Sequence, residues 1–222
     1  MKAKTTALLI SLIALGSWSA SAQTTTYSDT DFSTMASYNG TYVPGTPGYE
    51  LLSYASAGDD ATVGVRGPLG TLDQLSMSVD YSRLVGTDVP FAAFGISVDG
   101  NWGAGSAYEF DVISEQGNQL NGTSLVHVWD WTLDGGLGAD VPGLSGVTLD
   151  YVLSQDNSYN NVAFGDLEVM RAYAYIGDEW ASSGSVHVDS ITTVSTPDGG
   201  LTVVLLGGAL AGLQALRRKL FV

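Results

Sequence analysis

The sequence predicts an all-β protein, an antiparallel jelly-roll-like sandwich flanked by one apolar helix at each end. Three observations carry this. Residues 23–195 alternate apolar and polar side chains with a period of two, as strands with one buried face do. Glycine, at 28 of 222 residues, runs at about twice its usual share, and it clusters with Asn and Asp between the alternating runs. Outside the two termini no amphipathic helical pattern of ten residues occurs.

Residues 1–22 read as a secretory signal peptide. Lys2 and Lys4 form the positive start, residues 7–15 the short apolar core, and Ala20-Ser21-Ala22 the small-residue site, so cleavage is expected before Gln23 after export by the Sec machinery. The ectodomain, 23–195, then offers strand after strand. Candidates run over 49–54 and 61–66. Leu75, Met77, Val79 and Tyr81 alternate with Ser76, Ser78, Asp80 and Ser82. Next come 91–98, then Tyr108, Phe110 and Val112 alternating with Glu109 and Asp111, then 124–132. Val147, Leu149, Tyr151 and Leu153 alternate with Thr148, Asp150 and Ser154, broken only by Val152. The segment 167–176 follows, and Val186 and Val188 alternate with His187 and Asp189 at the end. Asn39-Gly40, Gly58-Asp59-Asp60, Asp99-Gly100, Asn121-Gly122 and Asp134-Gly135-Gly136 mark turns between them. Short strands at this spacing indicate a sandwich or barrel of antiparallel sheets. The closing segment from Gly184 to Ile191 resembles the last strand of concanavalin-like and carbohydrate-binding jelly rolls.

The last part, 196–222, has three pieces in order. Thr196-Pro197-Asp198-Gly199-Gly200 precedes an apolar run over 201–216, and Arg217, Arg218 and Lys219 follow it. Sixteen helical residues cover about 24 Å, near the roughly 30 Å of a bilayer core. The basic triplet would act as a stop-transfer signal and stay on the cytoplasmic side, leaving the ectodomain outside. This tail resembles the PEP-CTERM class of bacterial sorting signals, closest to the VPDSG-CTERM variant, with Thr196 where the variant has Val. The resemblance implies processing by an exosortase-type transpeptidase. It also implies residence in the inner membrane before cleavage, then delivery to the cell surface or an exopolysaccharide-rich extracellular matrix.

Charge and composition narrow the functions. Residues 23–198 hold all 23 acids but only three of the eight cations, Arg66, Arg83 and Arg171, a net −20. Binding of nucleic acid or anionic lipid by this stretch is therefore excluded, since both need clustered Lys and Arg. Cysteine is absent, which removes disulfides, thiolate metal sites and thiol catalysis together. With His127 and His187 alone, a transition-metal site is not expected. No cofactor is expected. The one ion the composition suits is Ca²⁺, through oxygen donors at Asp29 and Asp31, Asp59 and Asp60, and Asp156-Asn157 with Asn160-Asn161.

Two groups bear on chemistry. Glu109-Phe110-Asp111-Val112-Ile113-Ser114-Glu115 resembles the acidic catalytic strand of laminarinase-type retaining β-glucanases. Retention needs its two carboxyls roughly 5–5.5 Å apart. Six residues of strand separate Glu109 from Glu115 by about 20 Å, and a bulge shortens that by only one residue. The run is therefore expected to be a wet acidic strand face, and no catalytic residue is assigned. The second group is aromatic. His127, Trp129 and Trp131 share one strand face, with Val126, Val128 and Asp130 on the other. Trp102 and Trp180 fall in loop segments. Exposed, any of the four Trp residues could stack on a sugar ring. The expected protein is thus non-enzymatic, with a structural or adhesive role at the surface or in the matrix. The alternative is a carbohydrate-binding module that takes extracellular polysaccharide.

Overall fold

A computed structural model describes residues 21–28, 30–34, 41–44, 49–53, 61–85, 89–98, 109–115, 117–132, 138–157, 159–176 and 184–196. The chain divides into two compact units. One is Thr24–Ser195; the other combines Met1–Gln23 with Thr196–Val222 and lies almost wholly outside the described residues. Ala20, Pro197 to Gly200, the apolar run 201–216 and the basic residues Arg217, Arg218 and Lys219 all fall outside them, as do Trp102 and Trp180. Thr196, Ala22 and Gln23 are described and exposed. Among the described residues, no helix is long and apolar enough to cross a membrane.

The larger unit is a β-sandwich of two antiparallel sheets. In the six-stranded sheet the order is β3 (Thr41–Pro44), β4 (Tyr49–Ser53), β13 (Gly184–Ser195), β6 (Leu75–Val85) and β9 (Gln119–Leu120), and β1 (Gln23–Tyr27) also pairs with β13. The seven-stranded sheet runs β11 (Ala139–Thr148), β10 (Leu125–Asp130), β8 (Glu109–Ser114), β7 (Phe91–Ser97), β12 (Glu168–Ile176), β5 (Ala61–Thr71) and β2 (Ser33–Thr34). The chain crosses repeatedly between the sheets, as at β4–β5, β5–β6, β6–β7 and β12–β13, so each sheet is assembled from segments distant in sequence.

Register explains which residues make the core. Val65, Ala172, Phe94, Val112 and Val128 lie directly opposite one another across five strands of the larger sheet. All five are buried. Residues directly opposite share a face, so this row is the inner face. Leu75, Met77, Val79, Leu120, Val186, Val188 and Ile191 are buried apolar residues of the smaller sheet. The alternation read over 75–81 is thus a true strand, with Ser76, Ser78 and Asp80 turned outward. Phe164, from a 3-10 turn at Phe164–Asp166, closes the core against Phe110 edge to face, their centroids 5.1 Å apart.

The structure departs from the sequence reading in four places. The strand expected through 147–153 ends at Thr148, and Leu149–Leu153 is a short helix, α1. Thr148 caps it by accepting the Tyr151 N–H, and Leu149 and Val152, three residues apart, are buried together while Tyr151 is exposed. Val152, the break in the alternation, was the helical signal. Second, β1, β3 and most of β11 carry weak alternation. β11 contains Pro142 and the positive-φ glycines Gly143 and Gly146, which an edge strand tolerates and a central one does not. Third, His187 is not on a wet face but buried, its Nε2 3.5 Å from Asp189 Oδ1. Fourth, the strand face expected to be wet and acidic at Asp111 is closed over: β7 is buried at every residue and β8 at all but Glu109.

Candidate functional site

The other face of the seven-stranded sheet gathers the chemistry. One register row reads Arg66, Arg171, Gly95, Asp111, Trp129 and Asp140 across β5, β12, β7, β8, β10 and β11. The next reads Gly64, Tyr173, Ala93, Ile113, His127 and Ser145. These rows sit between the inner rows, so their side chains leave the core.

Arg171 and Asp111 occupy the middle of the first row and are 60 residues apart in sequence. The Arg171 Nη2 donates to both carboxylate oxygens of Asp111, at 2.8 Å each. Between them lies Gly95 on β7. A Cβ there would overlap Arg171 Cγ and Nε, so the glycine is what lets the arginine lie across the strand to reach its partner. The guanidinium also stands 4.6 Å from the centroid of the Tyr173 ring, a cation–π contact. Trp131, one residue beyond β10, donates its indole N–H to Asp111 Oδ2 at 2.6 Å, and its backbone N–H donates to the Glu109 carbonyl at 3.1 Å. A side-chain hydrogen bond also joins Tyr173 to Asp111. One carboxylate on β8 therefore ties together β12 and the turn after β10.

The electrostatics follow from burial. Asp111 is 1% exposed and Arg171 9%. Burial works against the Arg171 charge, but Asp111, with smaller help from Tyr173 and Glu109, outweighs it and holds the guanidinium above its ordinary value. Burial, then the Asp111 charge, pushes the Tyr173 hydroxyl well above 10. The sign is that of an acid whose neutral form is favoured on folding. The stability it lends is complete below about pH 10, and it is lost as the unfolded chain ionises first above that pH. Tyr173→Phe should accordingly flatten the fall in stability above pH 10, as followed by denaturant midpoints at stepped alkaline pH.

The aromatic residues expected on one face of the 124–132 strand do come together. The rings of Trp129 and Trp131 meet edge to face, 6.1 Å apart at 67°. Their fates differ. Trp129 is half-buried, with Gly138 packed so closely on its indole that a Cβ would overlap Nε1, and that buried nitrogen finds no hydrogen-bond partner among the described residues. Trp131 is 40% exposed. His127 is buried. Sequence periodicity placed these three correctly but gave no sign of Arg171, Tyr173 and Gly95, which join them only through strand pairing.

Glu109 lies on this same face, half-buried and opposite Trp131. Glu115 is taken up elsewhere: its Oε1 accepts the Gly146 N–H at 2.6 Å and the Ser145 hydroxyl at 3.5 Å, clamping the irregular part of β11. Of the expected Ca²⁺ donors, Asp29, Asp59 and Asp60 lie outside the described residues. Asn157 is buried and committed to its own loop. Its amide donates to Asn160 and to the Val162 carbonyl, and it accepts the Tyr159 and Asn160 N–H groups. Asp31 accepts the Ser28 N–H. Among the described residues no three His, Asp or Glu side chains gather as a metal-holding group.

No protein-family model matches the chain, and no curated protein does. Among solved structures, the winged bean acidic lectin in complex with methyl-α-D-galactose is similar at 8% identity. The match covers 79% of this chain and 99% of the lectin, with a TM-score of 0.36.

Proposed function

We propose that this chain is an exported surface or matrix β-sandwich protein, with a non-enzymatic structural or adhesive role. In this reading it is anchored through 201–216 and handed by its PEP-CTERM-like tail to an exosortase-type transpeptidase. The supporting observation is the order of Thr196-Pro197-Asp198-Gly199-Gly200, the apolar run and the basic triplet at the end of a chain that opens with a signal-peptide pattern. Arg217, Arg218 and Lys219 resist export and fix the orientation. Release from the tail would leave a domain of net −20, whose carboxylates suit a hydrated matrix and oppose self-association. Expression in a bacterium with an exosortase tests this. The full chain should fractionate with the envelope, and a variant truncated after Ser195 should pass into the medium. Equal distribution of the two would set the anchoring role aside.

A second reading, a carbohydrate-binding module, is favoured by one feature. Trp131 exposes an indole on the outer sheet face, with Glu109 opposite it and Asp140 opposite its ring neighbour Trp129. An apolar ring flanked by hydrogen-bond acceptors is the chemistry a sugar presents a match for.

A further inference from the structure

The geometry points to Trp131 as a pre-set platform for the apolar face of an uncharged pyranose, with Asp111 and Arg171 as the positioning residues that hold it. The inference rests on the carbohydrate-binding reading and deepens it. An exposed Trp ordinarily turns about two side-chain torsions, and ordering it on binding lowers affinity. Here that freedom is already removed. The indole N–H is fixed on a buried carboxylate, the carboxylate is fixed on Arg171, and the ring edge leans on Trp129. The part left in solvent is the ring itself, since its single polar atom is consumed within the protein. What such a surface recognises is a stacked apolar face and not a hydrogen-bonding edge.

Charge selects the class. The stretch 23–198 has a net −20. Of the two arginines in this row, Arg171 is consumed by Asp111 and the exposed Arg66 lies on β5, with three strands between it and β10, while Glu109 and the exposed Asp140 flank the two Trp residues. A uronic-acid or sulfated polymer stacked on Trp131 would meet the like charge of Glu109 and Asp140, with Arg171 already engaged by Asp111 and Arg66 strands away, whereas the hydroxyls of a neutral sugar can donate to both carboxylates. The ligand class is therefore neutral glycan.

The test is affinity electrophoresis of the full chain in detergent through gels containing soluble β-glucan, mannan or galactan, with alginate as the anionic probe. Wild type should be retarded by at least one neutral polymer and not by alginate. Trp131→Ala should bind about tenfold or more weakly, as loss of a central aromatic anchor does, and should melt somewhat lower while remaining folded by circular dichroism, because the indole is only 40% exposed and donates to Asp111. Trp131→Phe keeps a ring but loses the N–H bond to Asp111, and should bind more weakly than wild type and better than Trp131→Ala. Neutral-glycan binding left intact in Trp131→Ala would overturn the platform while the carbohydrate-binding reading stood. Retardation by alginate in preference to the neutral polymers would overturn the ligand class. Retardation by none of them would overturn both.

Discussion

Asp111→Asn should destabilise the domain by about 3–5 kcal/mol, measured as a shift in urea midpoint at unchanged slope. The asymmetry of buried charge sets this size. The intact pair is of modest net value, because both ions surrendered hydration to enter the sheet. Removing one partner weakens the hold on the other: Arg171, 9% exposed, would keep its charge without the carboxylate that now accepts both of its short hydrogen bonds. Trp131 and Tyr173 would also exchange a charged acceptor for a weaker neutral one. The companion experiment separates the pair from the site. Asp111→Leu combined with Arg171→Met replaces both ions by apolar side chains of similar volume and should recover most of the lost stability. The double variant should still bind glycan more weakly than wild type, because nothing then orients the Trp131 indole. A single substitution as mild as an exposed charge change, within about 0.5 kcal/mol, would mean that Arg171 reaches solvent.

Gly64→Ala should cost about 1–3 kcal/mol, toward the upper end of the range for overpacking. Gly64 sits on β5 directly opposite Tyr173. An added Cβ would overlap the Ala172 carbonyl oxygen and Tyr173 Cα and Cβ. Those atoms belong to the β12 backbone and its first side-chain carbon, so relief requires the β5–β12 ladder to separate. Gly95→Ala is a useful contrast, because the atoms met there are the Arg171 side chain. That side chain can swing away, but only by leaving Asp111. Thermal melts of the two variants should therefore both fall, while only Gly95→Ala should also release Trp131, visible as a change in its indole fluorescence.

Much of the fold was legible because a buried strand face writes a period of two into the chain. The runs 75–81, 91–98 and 167–176 correspond to β6, β7 and β12 within a residue or two at most boundaries. Periodicity reports which side chains share a face; it is silent on what lies over that face. Asp111 alternates with Phe110 and Val112 just as a solvated acid would, and its partner, 60 residues on, carries no local mark. His187 was hidden for the same reason. The Leu149–Leu153 helix was hidden because five residues can satisfy both periods, until the Thr148 cap and the pairing of Leu149 with Val152 decide for the helix. β11 was obscured by Pro142, Gly143 and Gly146, whose presence is natural only at a sheet edge. In the candidate site, Trp129 and Trp131 could be placed on a common face in advance. Which of them would stay exposed depended on Gly138, nine residues beyond the Trp129 it packs on.

The proposed export and sorting of this chain are tested most directly by the intact mass of the protein recovered from the envelope and the medium of a native or exosortase-bearing host. The account predicts a species that begins at Gln23 and ends between Pro197 and Gly200, with or without an added group at its new C-terminus. A membrane-bound species that retains residues 201–222 would contradict it, leaving a simple anchored ectodomain.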